Sequence, residues 1–112
     1  MGAMKDKQDI LEEFLESLDC PIIVEGRRDA EALMKLDVDE GDIVVLNKGQ
    51  SLLETVEALQ DCSEVIILTD MDRAGKVLRK KLLKMMGAYG IHEKRRPREL
   101  FSQLRLSHVE GL

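Results

Sequence analysis

Glu25 closes an apolar run, Pro21-Ile22-Ile23-Val24, and Asp70 and Asp72 follow another, Glu64 to Thr69. A third run, Asp42 to Leu46, ends at Asn47-Lys48-Gly49. Three carboxylates and a lysine therefore sit at the ends of short β-branched segments. Asp70 and Asp72 stand at i and i+2, so extended backbone through Asp72 turns both side chains the same way. Carboxylates gathered this closely repel one another, and a hard divalent cation supplies the missing charge. Oxygen donors with no histidine nearby in sequence suit magnesium or manganese, one or two ions, rather than zinc. Lys48 is placed to neutralise a phosphate or to partner the acids, and Arg27 and Arg28 flank Glu25 where a substrate would approach. Taken singly, the acids have plainer uses: Asp72 as a helix N-cap, Asp70 as a turn cap, Glu25 paired with Arg27 or Lys48. Taken together, they favour a metal site.

The elements that must position these residues are legible as periodicities. Residues 8 to 19 carry Ile10, Leu11, Phe14, Leu15 and Leu18 at helical spacing, and Cys20-Pro21 ends that pattern. The three β-branched runs are continuous rather than alternating, which predicts strands covered on both faces. Between them, Ala30, Leu33 and Met34 mark one helix; Leu52, Leu53, Val56 and Leu59 mark another, opened by a Ser51-x-x-Glu54 capping box. Strand, helix, strand, helix, strand predicts parallel pairing with right-handed crossovers, and in such a sheet the ligand site lies beyond the carboxyl ends of the strands. A fourth helix spans about 72 to 86, with Val77, Leu78, Leu82 and Met85 inward and Lys76, Arg79, Lys80 and Lys84 outward; Gly87 or Gly90 stops it. Residues 97 to 106 are expected to form a last helix and Ser107 to Glu110 an edge strand.

Composition narrows the classes. The chain has 112 residues, enough for one core but not for a catalytic and a substrate domain side by side. With no Trp, one Tyr and two Phe, that core must be aliphatic. A net charge of −5 argues against general gripping of a nucleic-acid backbone, so contact with nucleic acid is expected to be local. The basic stretch Lys94 to Arg98, with Arg95 and Arg96, is the stronger candidate for that contact; without interleaved aromatics it predicts backbone contact only. Cys20 and Cys62 form no CxxC pair and suggest neither a disulfide framework nor a zinc site. His92 and His108 are read as ordinary polar residues. No apolar stretch reaches the ~20 residues of a membrane span, and a cytoplasmic protein with no membrane partner is expected. Met1-Gly2-Ala3 before Met4 reads as a cloning scar.

The strings IIVEGRRDAEAL, VVLNKG and VIILTDMDRAGKVLRKKL resemble the Toprim domain of topoisomerases, bacterial-type primases, overcoming-lysogenization-defect nucleases and the ribonuclease that matures 5S ribosomal RNA. The likeness is greatest to small stand-alone archaeal-type Toprim proteins and to the maturation ribonuclease. It implies a three-layer, Rossmann-like α/β domain over 21–112, with a mainly parallel central sheet flanked by helices and an amphipathic helix within residues 1–20 packed on it. It also implies Glu25 as general acid/base or metal contact, Asp70 and Asp72 as magnesium ligands, and Gly26 as a sharp turn beside the metal. Asp29 matches a family acid, although a first-turn acid is also favoured by the helix dipole. The covalent chemistry of a topoisomerase tyrosine is not expected of Tyr89.

These expectations converge on magnesium-dependent phosphoryl transfer, most simply hydrolysis of RNA or DNA, with Glu25 and Lys48 catalytic and Arg27, Arg28, Lys48, Arg73, Arg95 and Arg96 touching nucleic acid. The alternative is a non-catalytic metal- and phosphate-binding module within a larger processing complex. A receiver-like phosphoacceptor fits less well, because a receiver carries its acidic pair on the first strand.

Overall fold

The structure, a computed structural model, describes residues 6–46 and 49–110. In chain order the elements are α1 (Lys7–Glu16), β1 (Ile22–Val24), α2 (Arg27–Met34), a 3-10 turn (Glu40–Asp42), β2 (Ile43–Val45), α3 (Leu52–Ala58), β3 (Glu64–Ile67), α4 (Arg73–Ala88), β4 (His92–Glu93) and α5 (Arg96–Glu110). The sheet order is β2-β1-β3-β4, and every pairing is parallel. The chain steps from β1 outward to β2, then back across β1 to β3 and onward to β4. Keeping one crossover hand while reversing direction puts the connecting helices on opposite faces.

Alternation along the strands sorts the core accordingly. Ile22, Val24, Ile66 and Leu68 join Phe14, Ala30, Leu33 and Leu100 on the face covered by α1, α2 and α5. Ile23, Val65 and Ile67 join Val56, Leu59, Leu82 and Met86 on the face covered by α3 and α4. Both faces of β1 and β3 are therefore dry, which is why their sequences are continuous apolar runs. The rings of Phe14 and Phe101 stack 5.7 Å apart and fasten α1 to α5. Burial pushes the Cys20 thiol up to about 11, helped by the nearby Asp19 charge.

Several expectations need correction. β2 is an edge strand and only half-buried, not a fully covered one. Ser107 to Glu110 continue α5 as helix rather than forming a strand; the sheet edge is instead taken by β4, a two-residue strand. Leu53 and Val77 point outward, 47% and 46% exposed, because the inward stripes run through Leu52, Val56 and Leu59 and through Gly75, Leu78, Leu82 and Met86. Arg79 is not on a solvated row. Its guanidinium lies against the Glu93 carboxylate on β4, with Nε 2.7 Å from Oε2 and a second contact alongside, and that bond holds it above its ordinary value.

Candidate metal centre and the loop that carries it

The turn after β3 carries Asp70 and Asp72, and Glu25 reaches its backbone from β1. The β1–β3 ladder runs one step past the strand, with the Leu68 N–H donating to the Ile23 carbonyl at 2.8 Å. Ile22 is opposite Ile66 and Ile23 opposite Ile67; continuing that register sets Glu25 beside Thr69. From there the Glu25 side chain reaches over, and its Oε1 accepts from the Asp70 backbone N–H at 2.8 Å. This bond crosses the point where strand order reverses, the place in an open parallel sheet where ligands bind. Glu25 is not paired with Arg27, which faces Glu31 at 3.9 Å.

Asp72 caps α4: its Oδ1 accepts from the Gly75 N–H at 2.8 Å. One carboxylate oxygen thus serves the backbone in both Glu25 and Asp72, and each acid has a second. In kind, the oxygen donors of Glu25, Asp70 and Asp72 suit a hard divalent cation. Among the described residues, no three His, Cys, Asp or Glu side chains are grouped closely enough to hold a metal ion.

Two features of this loop lack a sequence signal. Gly75 is buried in the first turn of α4, and a Cβ built there would lie 2.0 Å from the Asp70 carbonyl oxygen. The helix can approach the loop that closely only because residue 75 has no side chain. The Thr69 hydroxyl donates to the Gly75 carbonyl at 2.9 Å, locking the same approach. The second feature is Arg98. From α5 its guanidinium donates to the carbonyls of Ile67 (3.1 Å), Thr69 (2.9 Å) and Asp70 (3.3 Å) and to the Thr69 hydroxyl (3.2 Å). It fastens the end of β3 from beneath. The spacing of Pro97, Leu100, Phe101 and Leu104 was the only hint, since it puts Arg98 one residue from an inward stripe.

Gly26 is different. Its φ of −141° is extended backbone that any residue adopts, and an added Cβ would meet nothing nearer than Asp29 Oδ2 at 3.9 Å. The expected need for a sharp glycine turn is not present; Gly26 is the N-cap of α2, and its N–H donates to Asp29 Oδ2 at 3.1 Å. Gly26→Ala is expected to cost under about 1 kcal/mol, the difference between glycine and alanine as N-caps, in urea unfolding. Asp29 is thereby a cap.

The basic residues divide. In the Lys94 to Arg98 stretch, Lys94 donates to the Ser17 carbonyl and Asp19, at 2.9 and 2.7 Å, and Arg96 pairs with Glu13 and Glu99 at 2.9 and 3.4 Å. The Glu13 bond raises the Arg96 guanidinium above its ordinary value. Within the stretch, the Arg95 side chain makes no hydrogen bond or ion pair among the described residues. Arg73 is exposed at the start of α4, beside Asp72. Arg28 lines a groove between α1, α2 and α5 with Lys7, Lys35 and Phe101, whose lining includes none of Glu25, Asp70 and Asp72. Lys48 lies outside the described residues.

A doubly wound parallel sheet with acids on the loops at its switch point fits a nucleic-acid-related metal-binding module. The chain belongs to the Toprim domain family, whose sequence model matches residues 20–104. Toprim domains generally bind divalent metal ions. Its relatives include small archaeal UPF0292 proteins. The one from Methanocaldococcus jannaschii is 40% identical over 85 residues, which span 74% of this chain and 66% of the relative. The one from Pyrococcus abyssi is 37% identical over 101 residues, spanning 88% of this chain and 75% of the relative. The matches thus cover only two thirds to three quarters of those proteins. A solved structure of a protein from Aquifex aeolicus superposes with a TM-score of 0.76 over 97% of this chain and all of its own, at 22% identity, and so shares the fold. Among the described residues no helix is long and apolar enough to cross a membrane.

Proposed function

We propose that the chain is a magnesium-dependent phosphoryl-transfer module acting on RNA or DNA phosphodiesters, in the first instance a nuclease. Asp70, Asp72 and Glu25 would hold one or two magnesium or manganese ions, and Lys48 would neutralise the phosphate. A divalent ion held by these carboxylates would supply neutralising charge to the phosphodiester. Glu25, tied to the Asp70 N–H by one oxygen, keeps the other to move a proton. Arg73 and Arg95 give the local contact with nucleic acid. The working unit is 21–112 with α1 packed on it, in the cytoplasm. The observation that carries this reading is the 2.8 Å bond from Glu25 on β1 to the loop of the two aspartates beyond β3.

The test is cleavage of labelled RNA and of single- and double-stranded DNA with magnesium or manganese, against a chelated control. Glu25→Gln is expected to lower cleavage roughly hundredfold, the usual worth of a positioned acid/base, and to leave urea stability nearly unchanged, because glutamine still accepts the Asp70 N–H. Asp70→Asn is expected to abolish the metal-induced amide shifts at 25, 26 and 70 to 73. If millimolar metal moves no amide in the wild type, the site is not a metal centre. If metal binds and no polymer is cut, the second reading holds: a metal- and phosphate-binding subunit of a larger processing complex. The use of Asp72 as a helix cap favours that second reading.

A further inference from the structure

Beside the Asp70–Asp72 turn, on the β4 side, lies a cavity of about 430 Å³ with mixed polar and apolar walls, between α4, β4 and α5. Met71, the residue between the two aspartates, forms its wall toward the acidic loop; Ser102 and Gln103 on α5 line it opposite. This volume is within the range of small-ligand sites. The charges around it are mostly spent. Arg79 is bound to Glu93, Arg98 to the carbonyls at the end of β3, and Glu99 to Arg96. Arg95 remains at the rim, exposed, with its guanidinium bonded to nothing among the described residues.

We infer that this cavity receives one nucleotide unit of a nucleic-acid strand, next to the phosphodiester held at the acidic loop. Arg95 binds that unit's phosphate, Met71 offers an apolar surface to the base, and Ser102 and Gln103 offer hydrogen-bonding groups to its edge. A nucleotide fits better than a simple anion, because an anion at Arg95 leaves the apolar Met71 wall and the hydrogen-bonding groups of Ser102 and Gln103 unused. It fits better than an apolar ligand, because the walls carry the Arg79–Glu93 ion pair and the polar groups of Ser102 and Gln103. The inference rests on the reading of the acidic loop as a phosphodiester site, and it places the neighbouring unit on the β4 side rather than over β2.

The experiment titrates the full chain with adenosine 5′-monophosphate and with short oligo(U) and oligo(dT), in magnesium, following amide NMR shifts. Shifts are expected to cluster at residues 71, 95, 102 and 103. Arg95→Ala is expected to weaken binding about tenfold or more, the worth of one charge-assisted hydrogen bond. Because Arg95 holds nothing in the fold, its removal should leave the unfolding midpoint unchanged; Ser102→Ala provides a second variant from the opposite wall, expected to weaken binding less. Magnesium shifts at 25 and 70 to 72, recorded separately, should be the same in Arg95→Ala and wild type. Binding unchanged in Arg95→Ala, shifts confined to other surfaces, or no binding at all with magnesium shifts intact would each overturn the cavity assignment while leaving the metal centre standing. Loss of the magnesium shifts in the wild type would instead remove the acidic-loop reading on which it rests.

Discussion

Gly75→Ala is expected to destabilise the domain by about 4 kcal/mol, above the ~1–3 usual for an overpacked core. The added methyl would sit 2.0 Å from the Asp70 carbonyl oxygen, and its other near neighbours are the Asp70 carbonyl carbon and amide nitrogen. All are backbone, so no rotamer change relieves the clash; either α4 retreats or the loop does. If α4 retreats, the Thr69 hydroxyl loses the Gly75 carbonyl. If the loop moves, the Asp70 N–H withdraws from Glu25. Domains of this kind have only ~5–15 kcal/mol in reserve, so urea unfolding should show a large fall in midpoint, and whatever remains folded should bind magnesium poorly. A variant as stable as wild type would mean that the loop does not press on the helix as described.

Arg98→Ala is expected to cost about 3 kcal/mol. The arginine satisfies three carbonyls and a buried hydroxyl with two nitrogens. Removing it orphans acceptors at the sealed end of β3, each worth roughly 1–3 kcal/mol when left dry, and water entering the space left by the side chain recovers part of that. Arg98→Lys should recover less than half, since a single ammonium cannot span acceptors that a planar guanidinium fork reaches together. Differential scanning calorimetry gives the stability loss, and the same samples give magnesium affinity. Arg98 does not touch the Glu25 carboxylate in the bonds described, so a weakened affinity would show that the carbonyl clamp sets the loop on which Asp70 and Asp72 sit.

Those two residues also mark where the sequence stops being readable. The α/β class, the first three strands, their helices, and the placement of Glu25, Asp70 and Asp72 on one sheet edge all follow from continuous apolar runs separated by amphipathic stretches, because burial on both faces of a central strand leaves that trace. The Ser51–Glu54 capping box is likewise found as read, with bonds of 3.1 and 3.0 Å. β4 was not readable: two residues carry no period, and His92 and Glu93 are paired for the backbone they offer and the arginine Glu93 holds. Ser107 to Glu110 looked strand-like over four residues, too few to distinguish a strand from the end of a helix. Val77 and Leu53 are apolar residues about 100° off their stripes, which a spacing count cannot exclude. The arginines are the sharpest case. Arg95, Arg96 and Arg98 look alike as a basic cluster, yet one is exposed, one is paired with α1, and one lies beneath the acidic loop. Which way each turns depends on Pro97, Leu100 and Phe101 docking α5 against a helix more than eighty positions earlier, a contact with no local signature.

That docking bears on how the protein is made. During synthesis α1 leaves the ribosome long before α5 exists, so the Phe14 ring must wait for Phe101 with its apolar face uncovered. The Glu25 carboxylate waits too, for a backbone amide 45 residues downstream, and the end of β3 stays unbraced until Arg98 is translated. A chain halted before α5 should therefore be neither compact nor able to gather its acids, and proteases should clear it quickly. Completion of the last helix turns a string of separate pieces into one closed domain.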